Sequence, residues 1–239
     1  RYDFTFDNSF EDRKHAIYFQ TGLHTSGNAV DLFSSLAKKE EERPHMLFNT
    51  VYSQFIKLTT DVRYYIKGNN NDLVFRLYAG LGMPSKNSSV LPYVEQFFSG
   101  GAYSIRGFTA RTLGPGSYYE EESTYIDQSG DLKLEANLEY RFVLSKIVNA
   151  AFFIETGNIW LVNEDENRPG SQFEFNTFYQ ELAVGTGFGL RFDFNFFVLR
   201  TDLGFPLRTP YVKDDANWLV GNSPILKKGL FYVAIGYPF

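Results

Sequence analysis

Cysteine is absent from the 239 residues, which excludes disulfide frameworks and thiolate metal sites and is compatible with an oxidising envelope compartment. Long apolar runs are missing too. A membrane-spanning helix needs about 18 or more consecutive apolar residues, and stretches such as Val148 to Ile154 are interrupted by polar side chains. Basic excess is also lacking: the formal net charge is −5 with no basic block, so there is no electrostatic footprint for nucleic acid. His15, His24 and His45 do not form a metal-ligand spacing, no Gly-x-Ser-x-Gly elbow occurs, and Gly80-Leu81-Gly82 lacks the rest of a nucleotide-binding motif. Glu120, Glu121, Glu122 and Asp127 read as a solvated acidic loop. The expectation is no enzyme, no cofactor and no metal. The chain starts at Arg1 without an initiator Met or a signal sequence, and so reads as processed or as a fragment.

Aromatic residues, in contrast, make up 18%, with Phe 25 and Tyr 16, while hydrophobic residues stand at an ordinary 44%. Alternation with period two accounts for both numbers. From Asp131 to Phe142 the even positions Leu132, Leu134, Ala136, Leu138, Tyr140 and Phe142 are apolar, and the odd positions Lys133, Glu135, Asn137, Glu139 and Arg141 are polar. Leu182 to Phe194 sets Leu182, Val184, Phe188, Leu190 and Phe192 against Gly185, Gly187, Gly189, Arg191 and Asp193. Leu73 to Gly82 and Phe197 to Phe205 follow the same rule, the latter with Arg200 and Asp202 on the polar parity. A transmembrane strand needs only about 9–11 such residues.

With Tyr2 to Asp7, Ala16 to His24, Phe48 to Lys67, Val148 to Leu161 and Leu230 to Phe239, the pattern predicts about nine antiparallel strands. Their connections alternate in length. Asn69-Asn70-Asn71, Leu144-Ser145-Lys146 and Asn195 mark tight turns, whereas Thr25 to His45, Pro84 to Gly130, Val162 to Thr177 and Arg208 to Lys227 are long. Short on one rim and long on the other is the layout of an outer-membrane barrel. The rival arrangement is a soluble sandwich or lipocalin-like barrel with its apolar face inward; long strands and aromatic strand ends favour the membrane. Ala29 to Glu42 reads as a solvated loop helix with Asn28 as N-cap.

Inside the longest connection lies Phe97-Phe98-Ser99-Gly100-Gly101-Ala102-Tyr103-Ser104-Ile105-Arg106-Gly107-Phe108. It resembles the signature of the BamA/TamA superfamily (the bacterial surface antigen family), a Gly-Gly pair followed by a [Val/Ile]-Arg-Gly-[Phe/Tyr] tetrad. Phe153 to Trp160, Gly187 to Arg191 with Arg200-Thr201-Asp202, and the final Phe239 stand where that family has such features. The resemblance covers about Leu73 to the end, and Leu113 to Tyr118 look closest to the TamA-like lipoprotein branch of Bacteroidota.

The resemblance implies an all-β transmembrane barrel in which residues 1–239 are the C-terminal part of about sixteen strands, with residues 84–130 an extracellular loop folding into the lumen. It implies that Gly100, Gly101, Ile105, Arg106, Gly107 and Phe108 form the loop motif and that Arg106 meets Glu155, beside Gly157, where the family usually has Asp. A buried Arg needs such a partner, and the pair reads either as a fixed brace or as a moving part. Charge reversal at both positions is expected to rescue either single mutant. Gly100, Gly101 and Gly107 fit a turn with positive φ. Arg141, Arg191, Asp193, Arg200 and Asp202 are the further lumenal charges, and Phe231, Val233, Ile235, Tyr237 and Phe239 form one row of a C-terminal signal strand, with Pro238 suited to a seam. The implied function is a membrane-protein insertase in the outer membrane of a Gram-negative bacterium. Its partners would be outer-membrane lipids, unfolded outer-membrane protein clients and accessory assembly subunits. A two-partner secretion pore and a passive porin remain the alternatives.

Overall fold

In the computed structural model, residues 1–11, 13–36, 46–48, 50–119, 128–194, 196–213, 216–219 and 225–239 are described. The acidic stretch Glu120 to Asp127, His45 and Asn195 therefore lie outside the described residues. The strands are β1 (Tyr2–Asp7), β2 (His15–Ser26), β3 (Met46–Leu47), β4 (Thr50–Val51), β5 (Phe55–Lys67), β6 (Asn71–Pro84), β7 (Leu132–Val143), β8 (Val148–Trp160), β9 (Ala183–Asp193), β10 (Val198–Lys213), β11 (Ala216–Trp218) and β12 (Leu230–Ile235). One helix, α1 (Asn28–Leu36), follows β2. Among the described residues no helix is long and apolar enough to cross a membrane.

Ten strands form one antiparallel sheet in the order β1-β2-β5-β6-β7-β8-β9-β10-β11, with β12 also paired to β10. Among the described residues the sheet is open: β1 pairs only with β2, and β12 only with β10. The ladders hold one parity across neighbours, so Arg76 faces Asn137, Asn137 faces Glu155 and Glu155 faces Gly185. Every side chain on that parity shares a face.

That face, called inner here, is covered by the connection between β6 and β7: Phe97 lies over Gly80, Leu91 over Gly82, and Gly107 against Gly185. The outer face is bare and apolar. Leu77 is 62% exposed, Phe152 57% and Phe188 49%, whereas Arg191 and Arg200 on the inner face are fully buried. A water-soluble sheet does the reverse; oily rows outside and charges inside belong to a barrel in lipid.

Several predicted boundaries shift. Phe48 to Lys67 is not one strand, because Phe48 turns with φ 51° and the short β3–β4 hairpin precedes β5. β10 runs eight residues past Phe205, to Lys213, and accommodates Pro206 through a register shift between Pro206 and Arg208, as a bulge permits. α1 contains Asn28 within it, and the predicted residues 37–42 lie outside the described residues. Its Asp31 is buried and pairs with Lys86. The terminal strand stops at Ile235.

Candidate functional site

The motif loop begins with two glycines that no other residue suits. Gly100 and Gly101 have φ of 91° and 90°, a region costly for residues with a Cβ, and a Cβ on Gly100 would sit 2.2 Å from the carbonyl oxygen of Thr109. The turn is closed by Gly101 N–H donating to Phe108 O at 2.7 Å. Gly107 does not adopt the positive φ expected of it; its need for glycine is space, since a Cβ there would meet Phe205 O at 2.7 Å and the Gly185 Cα at 3.1 Å. The opposing strands are cut away to match: a Cβ on Gly204 would lie 2.0 Å from Arg106 O. Ile105, Phe108 and Leu113 are buried with Ala183 in one small core.

Into this trench the loop delivers Arg106. Its Nε donates to Glu155 Oε1 at 2.8 Å, its backbone N–H donates to Glu155 Oε2 at 2.7 Å, and its guanidinium lies 3.5 Å above the centre of the Phe153 ring. The predicted partner is therefore in contact, the extra methylene of Glu notwithstanding. Arg106 also reaches Glu139 Oε2 at 2.8 Å and Asp202 Oδ2 at 3.3 Å. Arg191 bridges the same two acids, at 3.1 Å and 2.6 Å. Arg200 lies 2.5 Å from Asp202 and donates to the loop carbonyl of Ala102 at 2.9 Å. Arg141 holds the other oxygen of Glu139 at 2.8 Å.

Arg191 and Arg200 are direct cross-strand neighbours, an arrangement that repels unless an anion sits between them; Asp202 is that anion. With Arg106, Glu139, Glu155, Arg191, Arg200 and Asp202 out of water, each of these charges persists only because it is paired. The cluster thus gathers Arg141, Arg191, Arg200 and Asp202 of the predicted charges. Asp193 ends β9 at the short-turn rim, on the parity of Arg191. Gly157 lies beside Glu135, with no room for a Cβ beneath Leu134 O.

Glu139 and Glu135 were not singled out from sequence, although their parity on the polar row of β7 was the available signal. Glu135 fastens the front of the loop: it accepts from Ser99 Oγ at 3.0 Å and from Ser104, and Lys133 pairs with it at 2.9 Å while donating to Phe98 O.

The terminal segment is bound to the same loop. Tyr103 donates its hydroxyl to Ile235 O at 2.9 Å, and Tyr232 donates to Phe108 O at 2.7 Å. Phe231, Val233 and Ile235 of the predicted row are exposed on the outer face. Tyr237 and Phe239 do not continue that row. At Gly236, φ 85°, the backbone turns inward; Tyr237 then stacks on Arg141 at 4.5 Å, and Phe239 is buried within 6 Å of Arg141 and Arg76. Cationic side chains over aromatic faces attract them, which the parity of a regular strand could not convey.

The fold is shared with known proteins. Residues 46–239 match the Omp85 superfamily domain. Over 75 residues the chain is 31% identical to the outer membrane protein assembly factor BamA of Neisseria meningitidis serogroup B, a stretch that is 29% of this chain and 9% of that protein. The crystal structure of BamA from Haemophilus ducreyi lacking POTRA domains 1-3 superposes with a TM-score of 0.53 at 13% identity, covering 90% of this chain and 55% of that one. This likeness shows the barrel fold, and the chain spans about half of that structure. The domain match takes in most of the sequence, and the chain belongs to the Omp85 superfamily, β-barrel proteins of the outer membrane of Gram-negative bacteria.

Proposed function

We propose that the chain works in the assembly of outer-membrane proteins, as the part of an insertase barrel that carries its lateral seam and the loop bracing it. The observation that carries this reading is the pair of tyrosine hydrogen bonds, Tyr103 to Ile235 and Tyr232 to Phe108, which ties an edge strand to a loop anchored through Arg106. β12 pairs with β10 over six residues and has no partner on its other side among the described residues. Where a barrel closes on so short a strand, backbone donors and acceptors beyond its ends are left for an incoming strand to pair with. At six residues β12 is also far shorter than the sixteen of β10, and a short apolar wall thins the adjacent bilayer.

On this reading the loop sets how firmly β12 is held, and clients add to the seam by strand pairing. No bond is made or broken, and no cofactor is called for. Unfolded outer-membrane proteins are the clients; lipids at the seam and accessory subunits are the further partners. Depleting the protein tests the proposal: many outer-membrane proteins should fall together. Loss of a single exported client would point instead to a secretion pore, and a change in permeability alone to a porin.

A further inference from the structure

We propose that the outer face of the sheet carries a groove that binds one acyl chain of an outer-leaflet lipid. Its floor is set by register. Thr60 pairs with Ala79, and Ala136 pairs with Thr156 in the adjacent row, so four small side chains sit together on a face otherwise lined by Leu, Phe and Ile. The hollow has a volume of about 350 Å³, at the small end of ligand sites. Its polar atoms are turned away: Thr156 Oγ1 donates to Ala183 O at 2.8 Å and Thr60 Oγ1 lies 3.4 Å from Thr21 Oγ1.

The wall at the long-connection rim consists of Phe178 and Leu182, at either end of the 3-10 turn Phe178–Glu181 and the residue after it. That turn is pinned from within. Trp160 Nε1 donates to Glu181 Oε2 and Asn158 Nδ2 to Glu181 O, both at 2.6 Å, and Arg208 donates to the carbonyls of Gln180 and Leu182. The Phe178 ring packs on Phe173 at 5.6 Å and Trp160 at 6.3 Å. The groove therefore exists before any ligand arrives, which lowers the cost of filling it.

Depth selects the occupant. Phe175 and Tyr179 flank Phe178 at 6.0 and 6.1 Å and are well exposed, at the rim of long connections. Aromatic side chains at that level mark the headgroup boundary of the outer leaflet, so the groove opens immediately beneath it, where acyl chains begin. A headgroup or a peptide backbone would leave its polar atoms unsatisfied against such a lining. Lipid tails are as apolar as leucine, so binding gains nothing from the hydrophobic effect and rests on dispersion contacts that an unfilled hollow forfeits. The bound chain is distinguished from its neighbours by slower exchange. This inference needs only the bilayer-facing orientation of the sheet and stands apart from any role in assembly.

The test uses the full-length protein in vesicles containing a phospholipid with a nitroxide on an upper acyl carbon, read by electron paramagnetic resonance. Ala136→Phe fills the groove, Ala79→Leu fills it from the neighbouring strand, and Ile154→Phe adds bulk elsewhere on the same face. The wild type and Ile154→Phe should show one more motionally restricted chain per barrel than whichever groove variants insert. Equal restricted populations in all proteins overturn the proposal. So does a photo-crosslinker at position 136 that captures protein in place of lipid.

Discussion

Tyr232, on the inner parity of the terminal strand, donates its hydroxyl to the carbonyl oxygen of Phe108, the last residue of the loop motif, at 2.7 Å. The contact joins residues 124 positions apart and has its counterpart in Tyr103, which reaches from the loop to Ile235. Loop and terminal strand are thereby tied together at two points, and the consequences can be measured.

Arg106→Ala removes a cation from three buried acids at once. Breaking a buried ion pair by deleting one partner costs about 3–5 kcal/mol, and loss at this level should unseat the loop. Hydrogen exchange of residues 97–113 should rise sharply. Arg106→Lys should recover little, because an ammonium lacks the planar fork that meets Glu155, Glu139 and Asp202 together.

The double reversal Arg106→Glu with Glu155→Arg, a rescue on sequence grounds, should fail. It would place a new carboxylate against Glu139 and Asp202, which already lie within 3.3 Å of the Arg106 guanidinium. Assembly activity in the double variant should stay no better than in either single one, as measured by outer-membrane protein levels.

Glycines of two kinds should respond differently. Gly189→Ala forces a Cβ to 2.1 Å from Asp202 Oδ1, an overpacking that costs about 1–3 kcal/mol and disturbs the charge cluster. Gly236→Ala meets nothing within 4 Å but must hold φ 85°, at about 1–2 kcal/mol. Gly236→Asn should be milder than Gly236→Ala, and Gly189→Asn worse than Gly189→Ala, in thermal stability.

Glu181, in the rim turn outside the strands, titrates above the usual glutamate range because burial outweighs the Trp160 N–H that favours its charge. A raised carboxyl pKa means that the folded rim binds its proton more tightly than the unfolded chain. Its stabilisation is present at low pH and is lost as pH rises through the folded value. Trp160 fluorescence should therefore report a firmer rim at about pH 4 than at about pH 7, and Glu181→Gln should flatten the difference.

The long strands, the facing of each row and the Arg106–Glu155 contact were legible because each depends on parity or on a motif within one segment, whereas the two-residue strands β3 and β4 and the three-residue β11, which lies inside the predicted connection Arg208 to Lys227, are too short to show a period. Glu139 was not legible either, since its role arises only when the ladder between β7 and β8 sets it opposite Phe153, the residue beneath Arg106. The extension of β10 past Pro206 was hidden by a proline that a register shift tolerates. The end of β12 was hidden by alternation itself: Tyr237 and Phe239 keep the parity of the row, yet Gly236 redirects them towards Arg141. The tyrosine contacts span more than a hundred residues, and no local pattern announces them.

The most direct measurement is amide exchange along β12 in the bilayer-embedded protein, with Tyr103→Phe and Tyr232→Phe combined. Each lost hydrogen bond is worth about 1 kcal/mol, so the account predicts faster exchange at residues 230–235 while β8 and β9 keep wild-type protection. Unchanged exchange in β12 would contradict a loop that holds the seam.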